Sequence, residues 1–591
     1  MALRARIIPT LSSPKVASPW HKVKWAGIRA SKLSVDDRRM EGDVYLSSGY
    51  GIRLAIEGKP SGWKPLGDLA EIGMPGRLKG IQVSQGHGTP FLAAMTVFDS
   101  RPTARKWLSL DRTADAESRF VSSGTILVTC SGTVGRTTLS YKVHEGKLIT
   151  HDLLRIKAIE ASQRGWIYAY LHSKQVKAMA TGAHYGQIIK HLEPSHLQAL
   201  PIPLVKDEVA LGFDLRFEKI LALRNKSFDD LMAAEARYAK SIGDIKPKSD
   251  VTAYGVSASS ILGKRRRLDG SYYAPMATAI KESIPNPVPL NKVSTKIWWM
   301  GRFKRFYGEG GLPYMSADEL FTVNPADTKA ILVRDDDGHK DYFVKRGWIL
   351  MACSGQVYGL NGAAILATEY DERAFFSHDL IRIIPDDKKI RSGYLLIALT
   401  HPTLGRPLLI RAAYGTSIPH LDPSDVADFT VARLAPAIES EIADLAESSA
   451  AARAMADAME RELSVDADQI ISAFIKRPII QLASETLRTS ESPETDKAND
   501  IIQQWIASRP RGGDIRSMAS AAAYRNIIAM GESMVRPLLL QLSKKPGHWF
   551  VALNEITGEN PIEPPAEGNV KLMAKAWIKW GKKRGYLSEL D

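Results

Sequence analysis

The 591-residue sequence contains two cysteines, and each stands before serine and glycine: Cys130 in "VTCSGTVG" (128–135) and Cys353 in "MACSGQVYG" (351–359). Downstream of each comes a His-Asp pair, His151-Asp152 and His378-Asp379, and then a further histidine, His191 and His420. Residues of these types could form a thiolate nucleophile with a histidine base and an aspartate orienter, or a zinc site of one sulfur and two imidazoles. They could also be the framework of one domain written twice. A nucleophilic cysteine needs an exposed, electropositive setting. Here each thiol closes an apolar run, "TILVTC" or "WILMAC", of the kind that makes a buried strand, and free cysteine is among the most buried residue types. The zinc reading lacks any C-x-x-C or H-x-x-x-H pair to nucleate a site.

Asp386-Asp387-Lys388, within "PDDKK" (385–389), has the acidic-acidic-lysine composition of metal-dependent nucleases. It occurs in one place only, after an apolar run, and reads more simply as a charged turn. The chain has no G-x-x-x-x-G-K-[ST] phosphate loop and no Asn-Pro-Pro-Tyr cluster of an adenine methyltransferase. No catalytic residue and no metal ligand is therefore assigned. An enzyme, either a duplicated cysteine hydrolase or a nuclease built on the Asp386 segment, stays open as the alternative to a non-catalytic scaffold.

The framework reading extends well beyond the cysteines. "THDLLRI" (150–156) matches "SHDLIRI" (377–383), "GWIYAYL" (165–171) matches "GYLLIAL" (393–399), and "YGQIIKHLEP" (185–194) matches "YGTSIPHLDP" (414–423). Upstream, "RRMEGDVY" (38–45) pairs with "RRLDGSYY" (266–273), and "GTPFLAAMTVFDSRP" (88–102) with "GLPYMSADELFTVNP" (311–325). The offset between matched residues drifts only from 223 at Cys130/Cys353 to 229 at Tyr185/Tyr414. A repeat of this length is a duplicated domain and not a solenoid unit.

Each copy is followed by a helical pattern. In 214–242, Phe217, Ile220, Leu231, Tyr238 and Ile242 share one stripe, interrupted by Arg224. In 437–463, Ile438, Ile442, Leu445, Ala452, Ala456, Met459 and Leu463 recur at spacings of three and four, interrupted by Ser449, which is the seam of a coiled coil. Off that seam, Ala450 and Ala454 are short residues expected to leave room for a partner surface. Beyond them, "YRNIIAMGESMVRPLLLQLSK" (524–544) and "VKLMAKAWIKWGKKRGYL" (570–587) predict two further helices with no counterpart in either copy. The expected organisation is an amino-terminal extension (1–37), a first copy (38–205), a central helix (206–250), a second copy (251–433), a distal helix (434–486) and a carboxy-terminal helical domain (487–591).

The hydrophobic content of 44% gives each domain a core, and there is no apolar run long enough to span a membrane. The start of the sequence lacks the apolar stretch of a secretory signal, and two cysteines in separate copies argue against a structural disulfide, so a cytoplasmic protein is expected. The net charge of +14, from 79 Lys and Arg against 65 Asp and Glu, favours a polyanionic partner.

Taken together, the repeated "G-x-I-L-x-x-x-S-G", "H-D-L-x-R-I", the following "G-[WY]-[IL]" helix and "Y-G-x-x-I-x-H-L-x-P", in that order and twice over, resemble the DNA specificity subunit of type I restriction-modification systems. The resemblance covers roughly residues 38–463. It implies an α+β fold of two homologous target-recognition domains, separated by long helices that form an antiparallel coiled coil, with a small all-α domain appended. It further implies a sequence-specific, non-catalytic DNA-binding subunit of a bacterial or archaeal cytoplasm. Its expected partners are double-stranded DNA, two adenine methyltransferase subunits and a restriction or other defence effector. S-adenosylmethionine is expected on the methyltransferase and no cofactor on this chain.

On that resemblance, DNA contact falls on the loops of each copy. In the first copy the expected residues are Ser131, Thr133, Tyr185, Gln187 and Lys190, and in the second Ser354, Gln356, Tyr414, Thr416 and Ser417. Glutamine can bond adenine at two points, hydroxyls can bond a base or a phosphate, and lysine neutralises phosphate. Arg77 and Lys79 in the first copy, and Arg302, Lys304 and Arg305 in the second, are expected on the phosphate backbone.

Overall fold

The apolar runs that end at the two cysteines are strands, and what they pair with is the same in both halves of the chain. The computed structural model describes residues 42–183, 191–243, 245, 253–262, 267–323, 329–332, 342–476, 522–544, 549–562 and 569–587. They fall in two compact units, Met1–Ile479 and Ile480–Asp591.

In the first unit, the first half of the chain supplies β1 (Ala70–Gly73), β2 (Thr89–Leu92), β3 (Ile126–Thr129), β4 (Thr137–Leu139), β5 (Leu148–Ile149) and β6 (Leu153–Ala158). The second half supplies β7 (Ser294–Trp299), β8 (Tyr307–Met315), β9 (Ile349–Ala352), β10 (Ala364–Leu366), β11 (Phe375–Phe376) and β12 (Leu380–Pro385). One antiparallel sheet runs β1-β6-β3-β4 and the other β7-β12-β9-β10, the same order in matched strands. Every residue of β3 and β9 is buried, so the strand before each cysteine reads as an unbroken apolar run and not an alternating one. Beside each sheet lies a parallel pair, β2 with β5 and β8 with β11, joining Phe91 to Leu148 and Tyr314 to Phe375.

The arginine of each "H-D-L-x-R-I" is a framework residue. Arg155 donates to the carbonyls of Leu153 (2.9 Å) and Ile149 (3.3 Å), and Arg382 to those of Leu380 (3.1 Å) and Ser377 (3.4 Å). Each guanidinium thereby ties the last strand of the sheet to the end of the parallel pair.

The glycine-led helices are α1 (Arg164–His172) and α3 (Ser392–Thr400). They pack on two long helices, α2 (Asp207–Ile242) and α4 (Pro436–Lys476), and the glycine is what allows it. A Cβ on Gly165 would stand 2.2 Å from the Phe213 backbone of α2, and one on Gly393 2.5 Å from the Ala443 carbonyl of α4. The next residue of each helix is then anchored across the domain, Trp166 Nε1 donating to Pro203 O (2.9 Å) and Tyr394 OH to Ala432 O (2.7 Å).

Both long helices run beyond the stretches whose periodicity marks them, 214–242 and 437–463. α2 begins at Asp207, where Asp207 and Glu208 face the positive end of the helix dipole. α4 continues to Lys476 because Ala467, Ile471 and Phe474 keep the buried stripe going. The two run antiparallel: Arg216 pairs with Asp466 (2.6 Å), Arg224 with Asp457 (2.5 Å) and Glu460 (2.8 Å), Ser227 with Ser449, and Arg237 with Glu441 (2.7 Å). The two polar interruptions of the stripes are therefore buried partners in this pairing. Ser449 Oγ donates to Ser227 O (2.7 Å) while Ser227 Oγ donates to Ser449 O (2.9 Å). Ala450 and Ala454, expected to lie open, are each only 8% exposed. They are packed within the unit, because its sheets and short helices cover that side of α4.

In the second unit, the expected helix 524–544 is two helices. Ala522–Ala529 ends before Gly531, whose φ of +66° stops it, and α5 (Val535–Lys544) resumes after a 3-10 turn. A helix not expected from the sequence, α6 (Phe550–Thr557), precedes α7 (Val570–Lys583). Its eight residues give too short a window for a clear period. Tyr524 and Trp549 stack in the core of this unit, and Trp577 of α7 is fully buried there.

Candidate functional site

At the end of β3 and of β9 the chain turns sharply at a glycine, Gly132 (φ +70°) and Gly355 (φ +122°), a backbone region that a side chain would disfavour. The cysteine before it is held between two segments. Cys130 N donates to Asp152 O (3.0 Å) and its carbonyl accepts from Leu192 N (2.8 Å). Cys353 does the same with Asp379 (3.2 Å) and Leu421 (2.7 Å). The serine after it forms a bridge to the histidine of the following motif, Ser131 to His191 and Ser354 to His420. "CSG", "HD" and "HL", far apart in sequence, thus meet at one corner in each half.

That corner is not arranged for nucleophilic chemistry. Both thiols are buried, and burial together with the neighbouring Asp152 or Asp379 carboxylate pushes each up to about 12, so both are protonated at neutral pH. The contact from Cys130 Sγ to His151 runs to its main-chain carbonyl (3.6 Å). The aspartates are locked by hydroxyls: Asp152 accepts from Ser131 Oγ (2.9 Å) and Thr150 Oγ1 (2.9 Å), and Asp379 from Ser377 Oγ (3.2 Å). Among the described residues no three His, Cys, Asp or Glu side chains are grouped to hold a metal ion. Asp386 lies in an exposed turn and pairs with Lys389 (2.8 Å). Cys130→Ser and Cys353→Ser are each expected to cost about 1–3 kcal/mol through a buried hydroxyl in place of a thiol. Denaturation midpoints check this, and serine variants as stable as the unaltered chain would contradict it.

The structure brings all five expected residues of the second copy to one edge. Tyr414 and His420 exchange main-chain bonds (2.9 and 2.7 Å), closing a hairpin whose tip carries Thr416 and Ser417, both exposed. Gln356, exposed on the turn after Ser354, donates through Nε2 to Ser417 O (2.9 Å) and so ties that turn to the hairpin. Asn361 supports the edge from beneath, donating to Pro419 O (2.8 Å). Sequence reasoning missed two exposed apolar members of this edge, Tyr358 and Ile418. In the first copy, Thr133 is exposed, while Ser131 is turned to Asp152. Tyr185, Gln187 and Lys190 lie outside the described residues.

The expected phosphate contacts occupy matched loops. Arg77 and Lys79 are exposed on the loop after β1, which is tied down by Arg119 donating to Gly76 O (2.8 Å) and Ala114 N to Lys79 O (2.8 Å). Arg302, Lys304 and Arg305 are exposed on the loop between β7 and β8. One nitrogen of Arg305 donates to Tyr314 OH (3.1 Å). Phe306 and Tyr307 are exposed beside them, so the loop alternates cations with aromatic faces. The string "GRFKRFY" carried that signal, which charge counting alone passes over.

No protein-family model matches this chain, and no curated protein matches it. Among solved structures, it is similar to the S subunit of a type-I restriction-modification system from M. genitalium, at 14% identity over 70% of this chain and 94% of that one, with a TM-score of 0.30. It is also similar to the HsdS subunit from Thermoanaerobacter tengcongensis, at 15% identity over 71% of this chain and 97% of that one, with a TM-score of 0.20. A third similar chain comes from a structure of the complex assembly and conformational transition of the type I R-M system, at 14% identity over 71% of this chain and 98% of that one, with a TM-score of 0.21. The structure neighbours are type I restriction-modification S subunits, the group that the repeated motifs resemble.

Proposed function

We propose that this chain is a non-catalytic DNA-reading subunit that recognises a bipartite, asymmetric target and positions adenine methyltransferase subunits on it. The observation that carries the reading is the corner built twice within one unit, with the same framework and different exposed side chains. Thr133 stands at the turn of the first copy where Gln356 stands in the second. Two readers with unlike side chains read unlike half-sites, and a chain without twofold identity does not call for a palindrome. At 1.5 Å per residue, the 36 residues of α2 span about 54 Å, more than one DNA turn of about 34 Å, so the half-sites can lie on successive turns.

The methyltransferase, carrying S-adenosylmethionine, would dock on the long helices, which we read as a coiled coil. The buried Ala450 and Ala454 do not serve that role. Val209, Leu211 and Leu215 on α2 and Val465 on α4 are exposed apolar residues at the end where α2 begins, and they suit a partner. A restriction or other defence effector would join the same assembly, with self/non-self discrimination against foreign DNA as its purpose.

Sequencing of modified bases in DNA from cells carrying the whole system tests the reading. The expected mark is a two-part motif with unlike halves. A continuous palindrome, or methylation by the purified chain alone, would overturn it. Gln356 keeps a second N–H and its amide oxygen for a base edge, so Gln356→Ala is expected to relax one half of the motif only. Loss of a bidentate contact costs about 1–3 kcal/mol at one base pair. Relaxation in both halves would contradict the assignment of one reader to one half-site.

A further inference from the structure

The two halves of the first unit do more than share the long helices: they pair with each other. Asp99 and Thr322 form an antiparallel bridge, with Ser100 N donating to Phe321 O (2.8 Å) and Val323 N to Phe98 O (2.8 Å). These partners are separated by 223 residues, the same offset that relates Cys130 to Cys353, so each strand segment pairs with its own counterpart. Paired counterparts of this kind lie on a twofold-like axis between the copies. Phe98, Phe321 and Val323 are buried, which makes the bridge part of the packed interior.

Side chains reinforce it on both flanks. Arg101 of the first copy forms an ion pair with Glu235 of α2, a carboxylate that is largely buried. Arg105 of the first copy lies over the ring of Tyr358 in the second, 5.2 Å from its centroid. Tyr358 follows the Gln356 turn, so this contact reaches the reading edge itself.

We infer that this bridge sets the number of base pairs between the two half-sites, by holding the reading edges at one separation and one rotation. The inference rests on the two-reader function proposed above. Changing the spacer by one base pair moves a half-site by about 3.4 Å and turns it by about 35°. Helices joined only through loops could follow by bending. Two edges joined by main-chain bonds at the axis cannot, and the DNA must then distort to fit, which is costly.

The experiment uses the full chain in its methyltransferase complex and a panel of duplexes with the native spacer or one base pair more or fewer. Two variants loosen the bridge. Ser100→Pro with Val323→Pro removes both main-chain donors, and Arg101→Ala with Arg105→Ala and Glu235→Gln removes the flanking pairs without leaving a buried charge. A third variant, Asp99→Cys with Thr322→Cys, places a disulfide across a pair that is not itself hydrogen-bonded, where the Cα atoms stand about 4.5 Å apart. It should close on oxidation, seen as the loss of two titratable thiols in the isolated chain. The oxidised chain should keep the native spacer preference, while at least one loosened variant should still methylate the native duplex yet discriminate against the altered spacers about tenfold less than the unaltered chain. Unchanged discrimination in both loosened variants overturns the lock alone. An unaltered complex that marks no bipartite motif overturns the reading and the lock together.

Discussion

Replacing Arg224 by methionine is expected to destabilise the first unit by about 3–5 kcal/mol, the cost of leaving the buried Glu460 and the partly buried Asp457 without their cation. Arg224 is only 2% exposed in the middle of α2 and bonds Asp457 (2.5 Å) and Glu460 (2.8 Å) of α4. Glu460 also accepts from Tyr168 OH of α1 (2.9 Å), so three helices meet in one hydrogen-bonded network. Burial works against its charge, but the two carboxylates outweigh burial and hold the guanidinium above its ordinary value. A methionine fills the volume and supplies none of the donors. The triple variant Arg224→Met, Asp457→Leu, Glu460→Met should recover much of the loss, since a buried ion pair exchanged whole for apolar side chains is often neutral. Denaturation midpoints of the two variants decide this. A single variant as stable as the unaltered chain would show that the network holds nothing together.

If the chain reads DNA as proposed, removing Arg302, Lys304 and Arg305 together by alanine is expected to make the largest change in that binding. If each neutralises one phosphate, the slope of log affinity against log salt becomes shallower by about 2.7, since each contact contributes about 0.9. Sequence preference should stay as it was, because phosphate contacts position the protein and carry no sequence information. All three side chains are exposed on one loop, and the bond from Arg305 to Tyr314 OH aims its head group without burying it. Titrations across a salt series, on target and unrelated duplexes, measure both quantities. A slope near zero in the unaltered chain would remove the nucleic-acid reading altogether.

Much of the local architecture was legible in the sequence. The apolar runs before Cys130 and Cys353, the glycine-led helices and the two long helical stripes are encoded by neighbours within a few residues, and periodicity reports such neighbours directly. Writing the domain twice helped further, since a chance pattern does not recur in the same order. The matched corner was foreshadowed by its pieces, "CSG", "HDL" and "HL", although nothing in their spacing said that they would touch.

What the tertiary structure decided are pairings between distant segments. Arg224 and Ser449 look like interruptions of an apolar stripe, and only the register of α2 against α4 gives each its partner, Glu460 for Arg224 and Ser227 for Ser449. Arg155 and Arg382 look like surface cations, and only the crossing of strand ends turns them onto carbonyls. Gly165 and Gly393 gain their meaning from a helix backbone lying where a Cβ would be. The bridge from Asp99 to Thr322 has no local signature at all, because main-chain hydrogen bonds can form between any two extended segments. Sequence determines which segments are strands, helices and turns. Which of them come to lie against each other is set by burial of the whole chain at once, and in this protein that is what joins the two halves.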